Sequence, residues 1–246
     1  MGTMRFVCAS LVFAVLACAG ASALAQSQEQ QLNERCLNRD KAFSFETQLM
    51  ACTSLMRMQG GSPRALAVTF NNRGNAYRGE RQYGAAIADY DEAVRLDPGY
   101  ANGFNNRGIA LRYAGLHERA IADFSEAIRL SPDFASAYAN RGSAYADRGD
   151  LARAIADYTR AIGLDPDYAG AYNNRGNAYR RQGEFERAMA DYNTAIRLNP
   201  RFAAAYNNRG RLYQSMGDVE RSLADFEEAL RLEPNNPDYQ GFGMRR

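Results

Sequence analysis

Asn71-Asn72-Arg73-Gly74 returns as Asn105-Asn106-Arg107-Gly108, Ala139-Asn140-Arg141-Gly142, Asn173-Asn174-Arg175-Gly176 and Asn207-Asn208-Arg209-Gly210. The copies stand 34 residues apart. A fixed period of this size marks an array of stacked helical pairs, each burying its apolar face only against its neighbours. It also moves the question of function to the surface of the array. Which of the four letters packs the stack, and which faces a partner?

The copy beginning at Ala169 reads most cleanly. Tyr172, Gly176 and Tyr179 fall on one stripe of a first helix, and Gly183 interrupts it as a left-handed closing residue would. A second helix carries Phe185, Ala188, Met189, Tyr192, Ala195, Ile196 and Leu198 on its inner face, and Pro200 ends it, as Pro98, Pro132, Pro166 and Pro234 end the others. With position 1 at Ala67, Ala101, Ala135, Ala169 and Ala203, position 8 is always glycine and faces small residues at position 20 (Ala86, Ala120, Ala154, Ala188, Ser222). Position 24 is aromatic (Tyr90, Phe124, Tyr158, Tyr192, Phe226) and position 27 is alanine.

From Ala67 to about Asn236 this pattern resembles the tetratricopeptide repeat (TPR). The resemblance implies an all-α, right-handed solenoid of five helix-turn-helix repeats over 67–100, 101–134, 135–168, 169–202 and 203–236. The departures are Phe or Tyr at position 4, Leu111 at position 11 of the second repeat, and Arg at position 7 where the family usually has Leu. In the first repeat Arg81 replaces the turn glycine, with Gly79 nearby, which predicts an irregular turn there. With its leader and cysteine-bearing segment, the arrangement also resembles a group of secreted alphaproteobacterial TPR proteins.

The ends differ from the array. Residues 1–25 hold Arg5 as their only charge, an apolar run from Phe6 to about Ala17, and small residues at Ala23-Leu24-Ala25. This is the pattern of a cleaved secretory signal, so the mature chain is expected to be periplasmic or secreted and to keep no membrane span. Val15-Leu16-Ala17-Cys18 loosely resembles a bacterial lipoprotein box and gives lipidation at Cys18 as the alternative. Cys8 and Cys18 would leave with the signal, so Cys36 and Cys52 are expected to pair in an oxidising compartment. Helical spacing around Leu32-Cys36 and Phe45-Leu49-Cys52-Leu55-Met56 predicts a hairpin over 26–66, with a degenerate repeat as one reading of it, clamped by that bond and joined to the array at Gln59-Gly60-Gly61-Ser62-Pro63. Beyond 236, the tail 237–246 leaves the surface around Phe226 and Leu230 to be covered by Tyr239, Phe242 and Met244, or by another molecule, including a second copy in a homodimer.

The polar letters carry the functional reading. Nine of the ten residues at positions 5 and 6 are asparagine, which forgoes roughly 5 kcal/mol of helix propensity at about 0.6 kcal/mol each. Position 6 of a TPR faces the concave groove, so the resemblance implies a column of Asn72, Asn106, Asn140, Asn174 and Asn208 along its floor. An amide offers a donor and an acceptor, a two-point match to the backbone of an extended peptide; bonding to the adjacent repeat is the competing use. Each Arg at position 7 meets an Asp at position 23: Arg73 with Asp89, Arg107 with Asp123, Arg141 with Asp157, Arg175 with Asp191, Arg209 with Asp225. A partly buried arginine needs such an acceptor, so these predict a structural ladder of ion pairs. Asn75, Asn177, Arg112, Arg180 and Arg211, with Arg78, Ile109 and Arg181, vary between repeats and are expected to tune the groove, Asp147 opposing their charge.

Chemistry is missing. The formal net charge of +2 argues against nucleic acid. His117 is the only histidine, so neither a metal site nor a nucleophile–base set is expected, and no cofactor motif appears. The carboxylate clamp of chaperone-type TPRs requires groove lysines, and Lys41 is the only lysine. The expectation is a non-enzymatic scaffold that binds extended protein segments in its groove. The alternative is a lipid-anchored assembly factor of outer-membrane or secretion machinery.

Overall fold

The computed structural model describes residues 26–58 and 62–239. The leader, Cys18, Gln59-Gly60-Gly61, Phe242 and Met244 therefore lie outside the described residues. Everything regular among the described residues is helical: α1 over 26–37, then α2 (Phe45–Met58), α3 (Pro63–Gly79), α4 (Tyr83–Leu96), α5 (Ala101–Tyr113) and α6 (His117–Leu130). They continue as α7 (Ala135–Asp147), α8 (Leu151–Leu164), α9 (Ala169–Gln182), α10 (Phe185–Leu198), α11 (Ala203–Ser215) and α12 (Val219–Leu232). Two compact units contain them, Met1–Asn106 and Arg107–Arg246.

Local chemistry sets the ends of these helices. Asp150 and Asp218 cap α8 and α12 by accepting from the backbone N–H of Arg153 and Arg221, and Ser62 caps α3 through Ala65, with Pro63 at the first helical position. After α4, α8 and α10, Asp97, Asp165 and Asn199 accept from the N–H two residues on, at 3.0–3.1 Å, turning the chain into the next repeat. Within repeats, Gly115, Gly149, Gly183 and Gly217 take φ near +80°. The first repeat departs from the expected irregularity. Arg81 adopts φ +57°, and the Gln82 N–H to Tyr77 carbonyl bond of 2.9 Å matches Leu116 to Leu111 and Asp150 to Tyr145. The turn is regular because the hydrogen-bond frame enforces it, and the arginine bears the left-handed strain.

In the first unit, α1 and α2 form a hairpin around the Cys36–Cys52 disulfide, whose Cα atoms are 4.8 Å apart. Both cysteines, Ala51 and Leu55 are buried, with Leu32 packed against them. Gln48 Nε2 donates to the Cys36 carbonyl at 2.8 Å, and Asn38 closes the connection through the Phe43 N–H and carbonyl. The cysteines stand 16 residues apart, the spacing that separates Gly74 from Tyr90 in the first repeat. In that register Asn33-Glu34-Arg35-Cys36 is a worn copy of the repeated tetrapeptide, and Thr53 occupies position 25. The bond from Arg73 Nη1 to Thr53 Oγ1 (3.3 Å) supports this, since later arginines reach the position-25 residue of the repeat before them. The separation is 20 residues here and 16 later, so the connection into α3 carries the difference. Phe45 and Tyr77 add an edge-on ring contact, centroids 5.7 Å apart.

In the second unit the core is a spine of alanines and rings: Ala120, Phe124 and Ala127, then Ala154, Tyr158 and Ala161, then Ala188, Tyr192 and Ala195, all buried. What covers each position-8 glycine is the ring at position 24. A methyl added at Gly108 would stand 2.7 Å from the Phe124 ring. At Gly142 it would stand 3.0 Å from Tyr158 and 3.1 Å from the Ala154 carbonyl. The position-20 residue thus contributes its backbone, and the expected small-against-small contact is completed by an aromatic face. At the far end Tyr239 is buried with Ala203 and Ala229 and Phe226 is buried, while Val219, Leu223 and Leu230 on α12 are exposed.

Candidate functional site

The arginines of the tetrapeptide form matched pairs. In every repeat Nε and Nη2 of the position-7 arginine reach the two carboxylate oxygens of the position-23 aspartate at 2.7–2.8 Å: Arg73–Asp89, Arg107–Asp123, Arg141–Asp157, Arg175–Asp191 and Arg209–Asp225. This fork is the strongest form of charge-assisted hydrogen bond. All five aspartates are buried. Nη1 turns to the preceding hairpin, from Arg141 to Ser125 (3.0 Å), Arg175 to Thr159 (3.1 Å) and Arg209 to Asn193 (2.7 Å). One side chain therefore joins the two helices of its own repeat and the second helix of the one before. The hydrogen bond to Asp157 raises the Arg141 pKa above its usual value against the opposing effect of burial.

The asparagines form a second ladder on the first helices. Position 5 is buried wherever it is asparagine, at Asn71, Asn105, Asn173 and Asn207. In the first unit Asn106 Nδ2 donates to Asn71 Oδ1 at 2.8 Å, and Asn71 Nδ2 to Asn72 Oδ1 at 3.5 Å. In the second, Asn208 Nδ2 donates to Asn173 Oδ1 at 2.9 Å and Asn173 Nδ2 to Asn174 Oδ1 at 3.2 Å. Asn106 and Asn208, expected to face a ligand, thus direct one donor to the preceding repeat, and Asn72 is only 8% exposed. The propensity forgone by placing asparagine in helices is offset by these bonds. Asn106, Asn140, Asn174 and Asn208 remain half-buried on their helices.

The varying positions are drawn into the scaffold to different degrees. Asn75 accepts from the Tyr90 hydroxyl and Asn177 from the Tyr192 hydroxyl, both at 2.8 Å. Burial pushes both tyrosines up to about 12. Arg112 Nε donates to Asp147 Oδ2 at 2.6 Å, joining the second and third repeats. Arg181 Nη1 donates to the Ala146 carbonyl at 2.8 Å, and Arg180 Nε is buried without a hydrogen-bond partner among the described residues. Arg211 is exposed. His117 Nδ1 is buried without a hydrogen-bond partner among the described residues, 4.0 Å from Asp147 Oδ2. Arg112, Asp147, Asn174, Asn177, Arg180 and Arg181 line one polar cavity of about 510 Å³ in the second unit. Among the described residues no metal-binding cluster of three His, Cys, Asp or Glu occurs, and no helix is long and apolar enough to cross a membrane.

Sequence reading gives bonding to the adjacent repeat only as the competing use of the asparagines, and a degenerate repeat without its register at Asn33-Glu34-Arg35-Cys36. The signal for that register was the cysteine spacing, which equals that of the glycine–ring pairs.

Helical hairpins in tandem, pinned by a side chain at a fixed place in each, define an all-α repeat protein. The chain belongs to the tetratricopeptide repeat family. The TPR repeat model matches residues 110–147, 142–183 and 176–217, and the tetratricopeptide repeat model matches 67–100 and 203–236. No curated protein matches the sequence. Among solved structures, the MamA protein is similar at 28% identity and TM-score 0.56, over 69% of this chain and 92% of that one. Two others show the same fold alone. YrrB, a TPR protein with an unusual peptide-binding site, is 19% identical with TM-score 0.54, covering 77% of this chain and 96% of its own. The pilF protein of Pseudomonas aeruginosa is 17% identical with TM-score 0.71, covering 88% and 97%.

Proposed function

We propose that this protein is an exported interaction scaffold that holds extended segments of partner proteins along the polar face of its first helices, with no reaction of its own. The observation that carries the reading is the column of amides at position 6. Asn106 and Asn208 each direct one N–H to the scaffold, and an amide side chain keeps a second N–H and a carbonyl lone pair for a peptide bond. YrrB, with its peptide-binding site, is an example of what this fold can present. The buried Cys36–Cys52 bond fits an oxidising compartment such as the periplasm.

Crosslinking in cells, followed by identification of the captured proteins, tests the reading. It is run beside a variant with Asn106, Asn140 and Asn174 changed to Ala, and the variant is expected to lose specific partners. Equal capture by both chains would sink the groove reading. Intact-mass measurement of the exported protein separates cleavage after Ala25 from acylation at Cys18.

A further inference from the structure

The amide ladder has a gap, and the cavity lies against it. In the two places where both partners are asparagine and lie in one unit, the position-6 amide donates to the residue 35 positions earlier: Asn106 to Asn71 and Asn208 to Asn173. For Asn174 that residue is Ala139, which has no acceptor in its side chain. Asn174 Oδ1 accepts from Asn173, but its Nδ2 donates to nothing among the described residues. It lines the cavity of about 510 Å³ that also holds Arg180, which lies beside the Tyr192 hydroxyl and whose buried Nε has no hydrogen-bond partner among the described residues, and Arg181. Arg112 is neutralised there by Asp147. Arg180 and Arg181 have no carboxylate partner among the described residues, so two positive charges stand beside an open amide donor.

We propose that this gap fixes the register of the bound segment: a main-chain carbonyl of an extended peptide takes the Asn174 Nδ2 donor, and an acidic side chain of the same peptide lies against Arg180 and Arg181. This rests on the groove reading above and narrows it to acidic, internal segments. Ala139 is then a specificity-determining residue, since it is the absence of an amide there that opens the donor. An internal acidic side chain needs no free carboxyl terminus.

The test uses the full chain and two fluorescein-labelled, C-terminally amidated twelve-residue peptides, one repeating Gly-Glu-Ala and one with Gln in place of Glu. Fluorescence anisotropy is expected to show the Glu peptide binding at least about tenfold more tightly, as hydrogen bonds to charged groups are the stronger kind. Ala139→Asn supplies the missing acceptor at a site where four other repeats hold asparagine. It should weaken binding roughly fivefold while leaving the melting temperature unchanged or raised. Arg180→Gln should erase the preference for Glu over Gln. Wild-type affinity in Ala139→Asn, or a Glu preference that survives Arg180→Gln, overturns the proposal. If those results accompany weaker binding by Asn106→Ala, the groove reading stands without it. Absence of binding of both peptides by the wild-type chain overturns the proposal, and the crosslinking experiment then judges the groove reading alone.

Discussion

The N-terminal hairpin and the repeats that follow it join the same two positions by different means. In each repeat, glycine at position 8 lies under an aromatic ring from position 24, and an arginine–aspartate fork closes the hairpin beside it. In the hairpin, Cys36 and Cys52 hold those two places and are covalently joined. The position-7 arginine survives there as Arg35 but is exposed, and its aspartate is replaced by the buried Ala51. The difference teaches what the repeats' polar pairs do. Where a covalent bond closes the hairpin, the fork is dispensable; where it does not, the fork is kept in all five copies.

Breaking the fork should have the largest effect. Asp157→Ala leaves Arg141 largely buried without its acceptor, and a loss of about 3 kcal/mol in denaturant unfolding is expected. An unchanged midpoint for Asp157→Ala together with a gain for Arg141→Leu would show that the pair does not close the hairpin. Replacing Cys36 and Cys52 by Ser should cost a similar amount, about 3 kcal/mol in the chain-entropy view. Hydrogen exchange should show the loss confined to residues 26–58. A cooperative loss of protection across the repeats would mean that the hairpin anchors far more than itself. Gly108→Ala forces a methyl against the Phe124 ring at 2.7 Å, and overpacking of this kind should destabilise by about 2 kcal/mol. Arg81→Gly should raise stability by about 1 kcal/mol, because glycine takes the left-handed turn without strain.

The effect that leaves stability at neutral pH untouched is a pH dependence that only the repeats should show. Tyr90 and Tyr192 are pushed up to about 12 by burial, against about 10 in the unfolded chain. A raised pKa makes their contribution complete below pH 10 and lost as pH rises through about 12. Ultraviolet titration should find a high-titrating class of tyrosines, and Tyr90→Phe with Tyr192→Phe should shrink it by two, leaving Tyr158, which burial also raises. Two ordinary titrations would show these rings to be open to water.

Most of the repeat fold was legible because its causes are local and recur. Glycine, aromatic, alanine and proline stand at fixed places, and each copy is read from its own residues. The arginine–aspartate pairing was legible for the same reason, since both partners sit in one repeat. The amide ladder was only half legible. That Asn173 is buried and accepts from Asn208 depends on how neighbouring helices face each other, which a single repeat does not reveal. The turn at Arg81 misled because propensity was weighed without the hydrogen-bond frame that overrides it. A degenerate repeat was legible in the hairpin but its register was not, because its tetrapeptide keeps only one asparagine and the arginine, and the longer connection puts it out of phase with the rest.

The bonds from Nη1 of Arg141, Arg175 and Arg209 to the hairpin before each have an evolutionary consequence. Every such contact links a repeat only to its immediate predecessor, through residues that each copy supplies at the same place. A gene that duplicated or deleted one complete 34-residue segment would still encode a protein with all these bonds made. An insertion of one or two residues inside a helix would break them, whereas a connection can absorb extra residues, as the one before α3 does. Selection can therefore lengthen or shorten this molecule in whole repeats far more easily than it can alter the repeat itself.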